Sequence, residues 1–410
     1  MLSWLVPLWV FLLPIQVELA GFVIPRFAPA DLLLITWLPF FIARDWRTGA
    51  RLWHPSVPWL VACFLLANWV TVLRWGEISR YALLNKTVGL LVLVLSYAMV
   101  AVYAAGGWQR VYGIVRLFVR VVTLHALLAI VLMALGLSAK FHANFAGRLS
   151  GYLVDPNAFG GLLVAAFTIT LVAGFRRGAL FRPFEGAVSA AVLAVGTVLT
   201  YSRSCWLGLV AGAALGMLMG RVRHRALAAV TVVALGAVVY YTLPAVLETE
   251  VTSSPWEFSG QMATRQTTIE GRADIMDEAV RLFLKSPIWG QGLGGFQLAR
   301  GSIAIVHNTF LWFLVEFGVI GAAVFAWFLV GHARRSLQAL RRGPGEARPV
   351  NIGLLCGFVA MAGLSLGVEA LYQRHWWFIM AVISAAWLLA RSGTSELEDN
   401  GAPQYRAPLQ

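Results

Sequence analysis

Residues 82–105, ALLNKTVGLLVLVLSYAMVAVYAA, decide the fold class. No charged side chain interrupts the chain from Thr87 to Gln109. That run exceeds the roughly 20 apolar residues a helix needs to cross a hydrocarbon layer about 30 Å thick. Its apolar residues are continuous rather than alternating, which excludes a transmembrane β-barrel. Working outward from it, further apolar runs fall near 4–24, 29–43, 57–75, 115–137, 157–174, 186–202, 204–220, 226–245, 307–331, 350–370 and 376–390, with the quoted run itself at 82–105. The reading is an all-α integral membrane protein of about 12 transmembrane helices.

Composition agrees. The 410 residues are 59% hydrophobic and 12% charged, against about 25% charged in a soluble globular protein. The first run, Trp4 to Ile24, lacks a basic leader and contains Glu18, so it reads as a span and not as a cleaved signal peptide. A net charge of +13 suggests nucleic acid, but the basic residues are dispersed among short loops, as membrane topology requires. Cys63, Cys205 and Cys356 have no CxxC spacing and read as packing residues. Gly208, Gly212, Gly216 and Gly220 form a four-residue stripe that invites close approach of another helix.

Orientation follows from the arginines. Arg44, Arg47 and Arg51, then Arg110 and Arg116, Arg176, Arg177 and Arg182, Arg221, Arg223 and Arg225, and Arg334, Arg335, Arg341, Arg342 and Arg348 fall on one side, with both termini. The positive-inside rule makes that side cytoplasmic. Spans one to nine then occupy 1–245, a periplasmic segment 246–306, three more spans 307–391, and a polar disordered tail 392–410. Within the periplasmic segment Ala273, Met276, Val280 and Phe283 recur at helical spacing. Gly290-Gln-Gly-Leu-Gly-Gly295 lacks the Lys-Ser/Thr of a P-loop and reads as a turn.

The informative residues break the charge rule. Arg74, Arg80, Lys86, Lys140, Arg148, Arg203, Arg265, Arg272 and Arg374 fall on the outer side or near its membrane boundary. One such residue is ordinarily a snorkelling side chain. As a set they describe a cationic outer face suited to a phosphate-bearing substrate. Arg203 lies in Tyr201-Ser-Arg-Ser-Cys-Trp206, a polar break between two apolar runs, and Arg265 and Arg272 are two helical turns apart. His307, where the outer segment meets span ten, is the side chain best tuned to take a proton near neutral pH, although an interfacial His also serves as a cap or headgroup contact. The remaining histidines show no metal-ligand spacing, so no metal is expected.

His307-Asn-Thr-Phe-Leu311 followed by Glu316-Phe-Gly-Val-Ile-Gly321 resembles the signature of the O-antigen ligase and Wzy polymerase superfamily. So do Gly271-Arg272, the run from Ser286 to Gly295, Asp155-Pro-Asn-Ala-Phe-Gly160, and Ser202-Arg-Ser-Cys-Trp-Leu207, all in order within about 150–321. The resemblance implies a GT-C-like, metal-independent, inverting glycosyltransferase of the bacterial inner membrane with its site facing the periplasm. Its donor would be a glycan on undecaprenyl pyrophosphate and its acceptor the lipid A–core oligosaccharide, with membrane lipids around it and no nucleic acid. His307 would act on the acceptor hydroxyl. Arg203, Arg265 and Arg272 would stabilise the departing pyrophosphate. The secondary substrate-binding candidates are Lys86 and Arg80, which would touch the pyrophosphate or define the lipid entrance, Arg148, Asp155 and Asn157, which would bind sugar or support the arginines, and Gln373 and Arg374, which would close the site. Glu316 reads as a partner for a buried polar group. The resemblance implies no cofactor, because the donor is already activated.

A polymerase uses the same donor with a second lipid-linked glycan as acceptor, and protein glycosylation is a third variant. A transporter would show two related halves with paired interrupted helices, and none is evident. An intramembrane serine protease would need Ser150 as nucleophile, but Gly147-Arg-Leu-Ser-Gly151 has the wrong glycine spacing.

Overall fold

The computed structural model describes residues 2–18, 26–135, 137, 148–153, 155–174, 180–220, 273–301 and 304–393. Within them the chain is helical apart from a two-residue antiparallel ladder, Val17–Glu18 with Arg26–Phe27. The helices are α1 (Leu2–Leu12), α2 (Pro29–Phe40), α3 (Trp46–Leu52), α4 (Ser56–Trp75), α5 (Val88–Ala104), α6 (Trp108–Ala134), α7 (Pro156–Ala173), α8 (Pro183–Leu199), α9 (Arg203–Met219), α10 (273–285), α11 (Gly295–Arg300), α12 (Thr309–Arg342), α13 (Arg348–Leu364) and α14 (Arg374–Ser392). π-helical turns at Phe41–Asp45 and Ala82–Thr87 join α2 to α3 and lead into α5. Prolines at the first turn of α7, α8 and α13 start those helices where a missing N–H costs nothing. Gly76, in a left-handed conformation, stops α4.

Six of the described helices are long and apolar enough to cross a membrane: Ser56–Trp75, Ala82–Ala104, Trp108–Ala134, Pro156–Ala173, Thr309–Arg342 and Gly345–Leu364. The count of about twelve is therefore not reproduced. Helix α1 has 11 residues, about 16 Å, and the run 4–24 does not continue as one helix, because the chain turns at Leu13–Pro14 and Gln16 N–H bonds Tyr152 O. Helices α8 and α9 are apolar but have 17 residues each. The run 226–245, the segment 246–272 and the tail 394–410 lie outside the described residues. The helical path from Pro29 extends to Leu52, so Arg44, Arg47 and Arg51 stand on it and not in a loop.

The glycine stripe behaves as its spacing predicts. A Cβ at Gly208 would meet Ala360 O at 2.5 Å, one at Gly212 would meet Ala360 Cβ at 2.8 Å, and one at Gly216 would meet Cys356 Sγ at 3.5 Å. Helix α9 thus lies against α13 at backbone distance, which is how helices gain van der Waals contact where lipid removes the hydrophobic drive. Gly220 is only the residue that ends α9. Cys205 and Cys356 are buried thiols in this packing.

The largest departure from expectation is α12. The run 307–331 reads as one straight span, yet Gly318 has φ +65° and ψ −167°. The helix breaks there and doubles back. Phe313 stacks on Phe325 with centroids 4.1 Å apart, and Phe310 lies 5.8 Å from the same ring. Twelve residues of straight helix would separate Phe313 and Phe325 by about 18 Å. The motif's second glycine serves the same bend, since a Cβ at Gly321 would lie 2.2 Å from Phe317 Cβ.

The bend is filled by the loop between α10 and α11. Gln291 N–H bonds Val315 O at 2.7 Å, Gly292 N–H bonds Glu316 O at 3.0 Å, and Val319 N–H bonds Pro287 O at 2.8 Å. The loop is also stitched to α4, with Leu293 N–H on Ala67 O and the Trp75 indole on Gln291 O, both at 3.0 Å. The glycine-rich run is therefore a plug that satisfies the backbone groups freed by the broken helix, as irregular backbone within a membrane protein must. Glu316 sits at the bend and accepts from Gly294 N–H at 3.1 Å. Helix α10 forms where expected, but Met276 and Val280 are exposed and the buried face is Ala279 and Leu282.

Two ends emerge. At one, 365–374 meets α2, α7, α9, α12 and Lys86. At the other, Arg335 donates to Leu52 O and Trp53 O, and Arg116 donates to Leu180 O. Arg334, Arg335, Arg341 and Arg342 belong to α12 itself, which runs on to Arg342. Arg335 is buried, held also by Ser384 Oγ at 2.9 Å.

Candidate functional site

The connection between α13 and α14 organises the polar end. Thr309 N–H donates to Ser365 O, and Thr309 Oγ1 donates to Val368 O, both at 2.8 Å. Ala370 N–H returns a bond to the same Thr309 hydroxyl at 2.9 Å. Ser204 Oγ donates to Gly367 O, also at 2.8 Å. One short stretch of backbone, 365–370, thus ties the start of α9 to the start of α12. Arg203 precedes Ser204, and His307 stands two residues before Thr309. Asn308 caps α12, its Oδ1 accepting from Phe310 and Leu311 N–H at 2.9 and 3.0 Å. In His-Asn-Thr, then, Asn starts the helix, Thr moors it and His is carried at its mouth, half-buried.

Arg203 is presented by a second network. Asp155 caps α7 by accepting from Asn157 N–H at 2.8 Å, and it also accepts from the Asn157 amide at 3.0 Å. Asn157 Oδ1 accepts from Arg148 Nη2 at 3.0 Å and from Ser202 Oγ at 2.8 Å. Arg148 Nε donates to Thr200 O at 3.0 Å. Arg148, Asp155 and Asn157, read from sequence as binding sugar or supporting the arginines, hold the α8–α9 turn. That turn contains Tyr201 at φ 46°, a left-handed conformation unusual for a bulky residue. Directly after it Arg203 opens α9, exposed, where the helix dipole adds positive potential. Gly160 makes the approach possible, since a Cβ there would lie 2.3 Å from Cys205 Sγ.

The remaining candidates are distributed around the same connection. Lys86 is buried and ion-paired with Glu369, whose side chain is 7% exposed. Arg374 grips Asp31 through both Nε and Nη2, joining α14 to α2. Gln373 is buried above Gly161, where a Cβ would meet its Oε1 at 2.5 Å. Arg80 is exposed beside the π turn. Lys86 and Arg374 therefore have carboxylate partners within the protein, and neither stands as an open cation. Lys140, Arg265 and Arg272 lie outside the described residues.

Sequence reasoning missed the acids. Asp31 and Glu369 each neutralise a cation across hundreds of residues of chain. The available signal was their sign: a carboxylate in an apolar setting needs a cation, and Lys86 and Arg374 are cations in similar settings. Thr309, Thr200 and Ser202 carry no comparable signal.

Fold and site together define an all-α multi-pass membrane protein in which Arg203 and His307 stand beside two helix starts moored to one backbone stretch. Residues 188–326 match the model of the O-antigen ligase family. This supports a ligase- or polymerase-type function in O-antigen biosynthesis, acting on lipid-linked glycan and lipid substrates. The matched stretch contains Arg203, Arg265, Arg272 and His307, whereas every secondary candidate lies outside it. No curated protein matches the chain.

Proposed function

We propose that the protein is an O-antigen ligase of the bacterial inner membrane, transferring glycan from undecaprenyl pyrophosphate to a sugar hydroxyl of lipid A–core on the periplasmic face. His307 takes the proton of the acceptor hydroxyl as its oxygen attacks the anomeric carbon. The bond from that carbon to the pyrophosphate oxygen breaks, and the electron pair leaves with the pyrophosphate. Arg203 faces the charge that develops there, joined by Arg265 and Arg272, whose assignment rests on the sequence. A single displacement inverts the anomeric centre. Activation resides in the pyrophosphate leaving group.

The observation supporting this reading is the shared mooring: Ser204, next to Arg203, and Thr309, two residues from His307, bond the same backbone stretch 365–370. A fixed spacing between a base and an anion-stabilising group is what a displacement reaction requires. The test is a lipopolysaccharide gel of a strain lacking the protein. Loss of all O-antigen with lipid-linked polymer accumulating supports a ligase. Core capped by a single repeat identifies a polymerase, and an unchanged pattern removes both.

A further inference from the structure

The Lys86–Glu369 pair has no part in the chemistry proposed above, yet it is the most enclosed charge pair among the described residues. Their side chains are 8% and 7% exposed. The ammonium is walled by the rings of Tyr372, Trp312 and Tyr81, with centroids 4.6, 5.2 and 5.9 Å away. Tyr372 adds a hydrogen bond from its hydroxyl to Lys86 O at 3.1 Å. On the other side, the π turn carrying Lys86 is fixed to α4 by Asn68 Nδ2 donating to Thr87 Oγ1 at 2.9 Å.

Glu369 belongs to the stretch 365–370, whose carbonyls moor Thr309 and Ser204. Its neighbours Val368 and Ala370 both bond the Thr309 hydroxyl. A buried ammonium is strongly disfavoured without its counterion, so the pair holds together and fixes where the stretch lies. With its side chain 8% exposed, Lys86 offers little surface to an external phosphate.

We infer that Glu369 is a positioning residue: through buried Lys86 it sets the register of 365–370, and thereby the spacing between Arg203 and His307. This rests on the reading of those two residues as the transfer site. It reassigns Lys86 from a donor contact to the anchor of a clamp.

The experiment compares wild type, Glu369→Gln, Lys86→Met and the double exchange Lys86→Glu/Glu369→Lys. Purified full-length protein is assayed with a lipid-linked glycan donor and a lipid A–core acceptor. A misplacement near 1 Å costs about a hundredfold, so both single variants should lose about that much in kcat. Donor KM should stay within about twofold, because no donor contact is removed. The exchange should restore most of the rate. A Lys86 that touched the donor would instead raise donor KM in Lys86→Met and gain nothing from the exchange, which overturns the inference.

A second readout is independent of activity. Leu366 is 50% exposed. Leu366→Cys in a Cys63→Ser background is labelled with a maleimide. Labelling should accelerate several-fold when Glu369→Gln is added and return to its starting rate in the exchange. Unchanged labelling in Glu369→Gln overturns the clamp whatever the activity shows. If wild type transfers nothing, the functional reading falls and the labelling still decides the clamp. Should Glu369→Gln not reach the membrane, Glu369→Asp, which withdraws the charge by one methylene, is read in its place.

Discussion

Phe313 and Phe325 are stacked face to face at 4.1 Å with planes 8° apart, although twelve residues of nominal helix separate them. This contact exists only because α12 reverses at Gly318. The reversal brings Thr309, and with it His307, to the level of 365–370.

Gly318→Ala should therefore be among the most damaging small substitutions in the chain. Its Cβ would lie 2.1 Å from Ile288 O, a backbone atom that cannot yield without withdrawing the plug. Gly301→Ala is the control, with nearly the same φ of +63° and nothing within 4 Å. It should cost only the left-handed strain, about 1–2 kcal/mol. Thermal unfolding in detergent separates them, and equal losses in the two variants would contradict the role given to the plug.

The contrast with the sequence is instructive at this element. Glu316-Phe-Gly-Val-Ile-Gly321 lies in an apolar run with helical neighbours, and nothing local distinguishes a glycine that breaks a helix from one that merely packs. The Gly208, Gly212 and Gly216 stripe was legible because its spacing repeats; Gly318 acts through the plug contributed by 286–295. The candidate site shows the same division. Arg203 stands out as a charge against topology, and His307 as an imidazole at the mouth of a span. Glu369 and Thr309 matter through partners distant in the chain, and distance along the chain hides them. Arg148 and Asn157 stand out in the sequence as polar residues beside apolar runs, and in the structure they are partners of each other.

Asn157→Ala should lower transfer without abolishing it, because it strips an acceptor from both Arg148 and Ser202. Arg148→Lys should do the same by losing the fork that reaches Thr200 O as well. The double variant should be less than additive, with a coupling of about 0.5–3 kcal/mol. Additive losses in rate would mean the two residues act separately.

Gly160→Ala places a methyl 2.3 Å from Cys205 Sγ and should destabilise the α7–α9 contact. Cys205→Ala added to it should recover part of the lost melting temperature by removing the sulfur. No recovery would show that the obstruction lies elsewhere.

Arg335→Lys tests the opposite end. The guanidinium bonds Leu52 O, Trp53 O and Ser384 Oγ, a set one ammonium cannot reproduce. Stability should fall by about 2 kcal/mol, the scale of a hydrogen bond to a charged group. Transfer kinetics of the protein that remains folded should be unchanged. A fall in kcat at full stability would tie this network to the chemistry.

The central claim is that His307 acts on the acceptor hydroxyl while moored beside Arg203. Its most direct test is the transfer rate of purified His307→Ala with saturating lipid-linked donor and lipid A–core acceptor, matched to wild type for folded protein in the membrane. General-base catalysis contributes about 10²–10⁴-fold, and a loss of that size at unchanged donor KM is the expected result. A rate within about twofold of wild type would contradict the account.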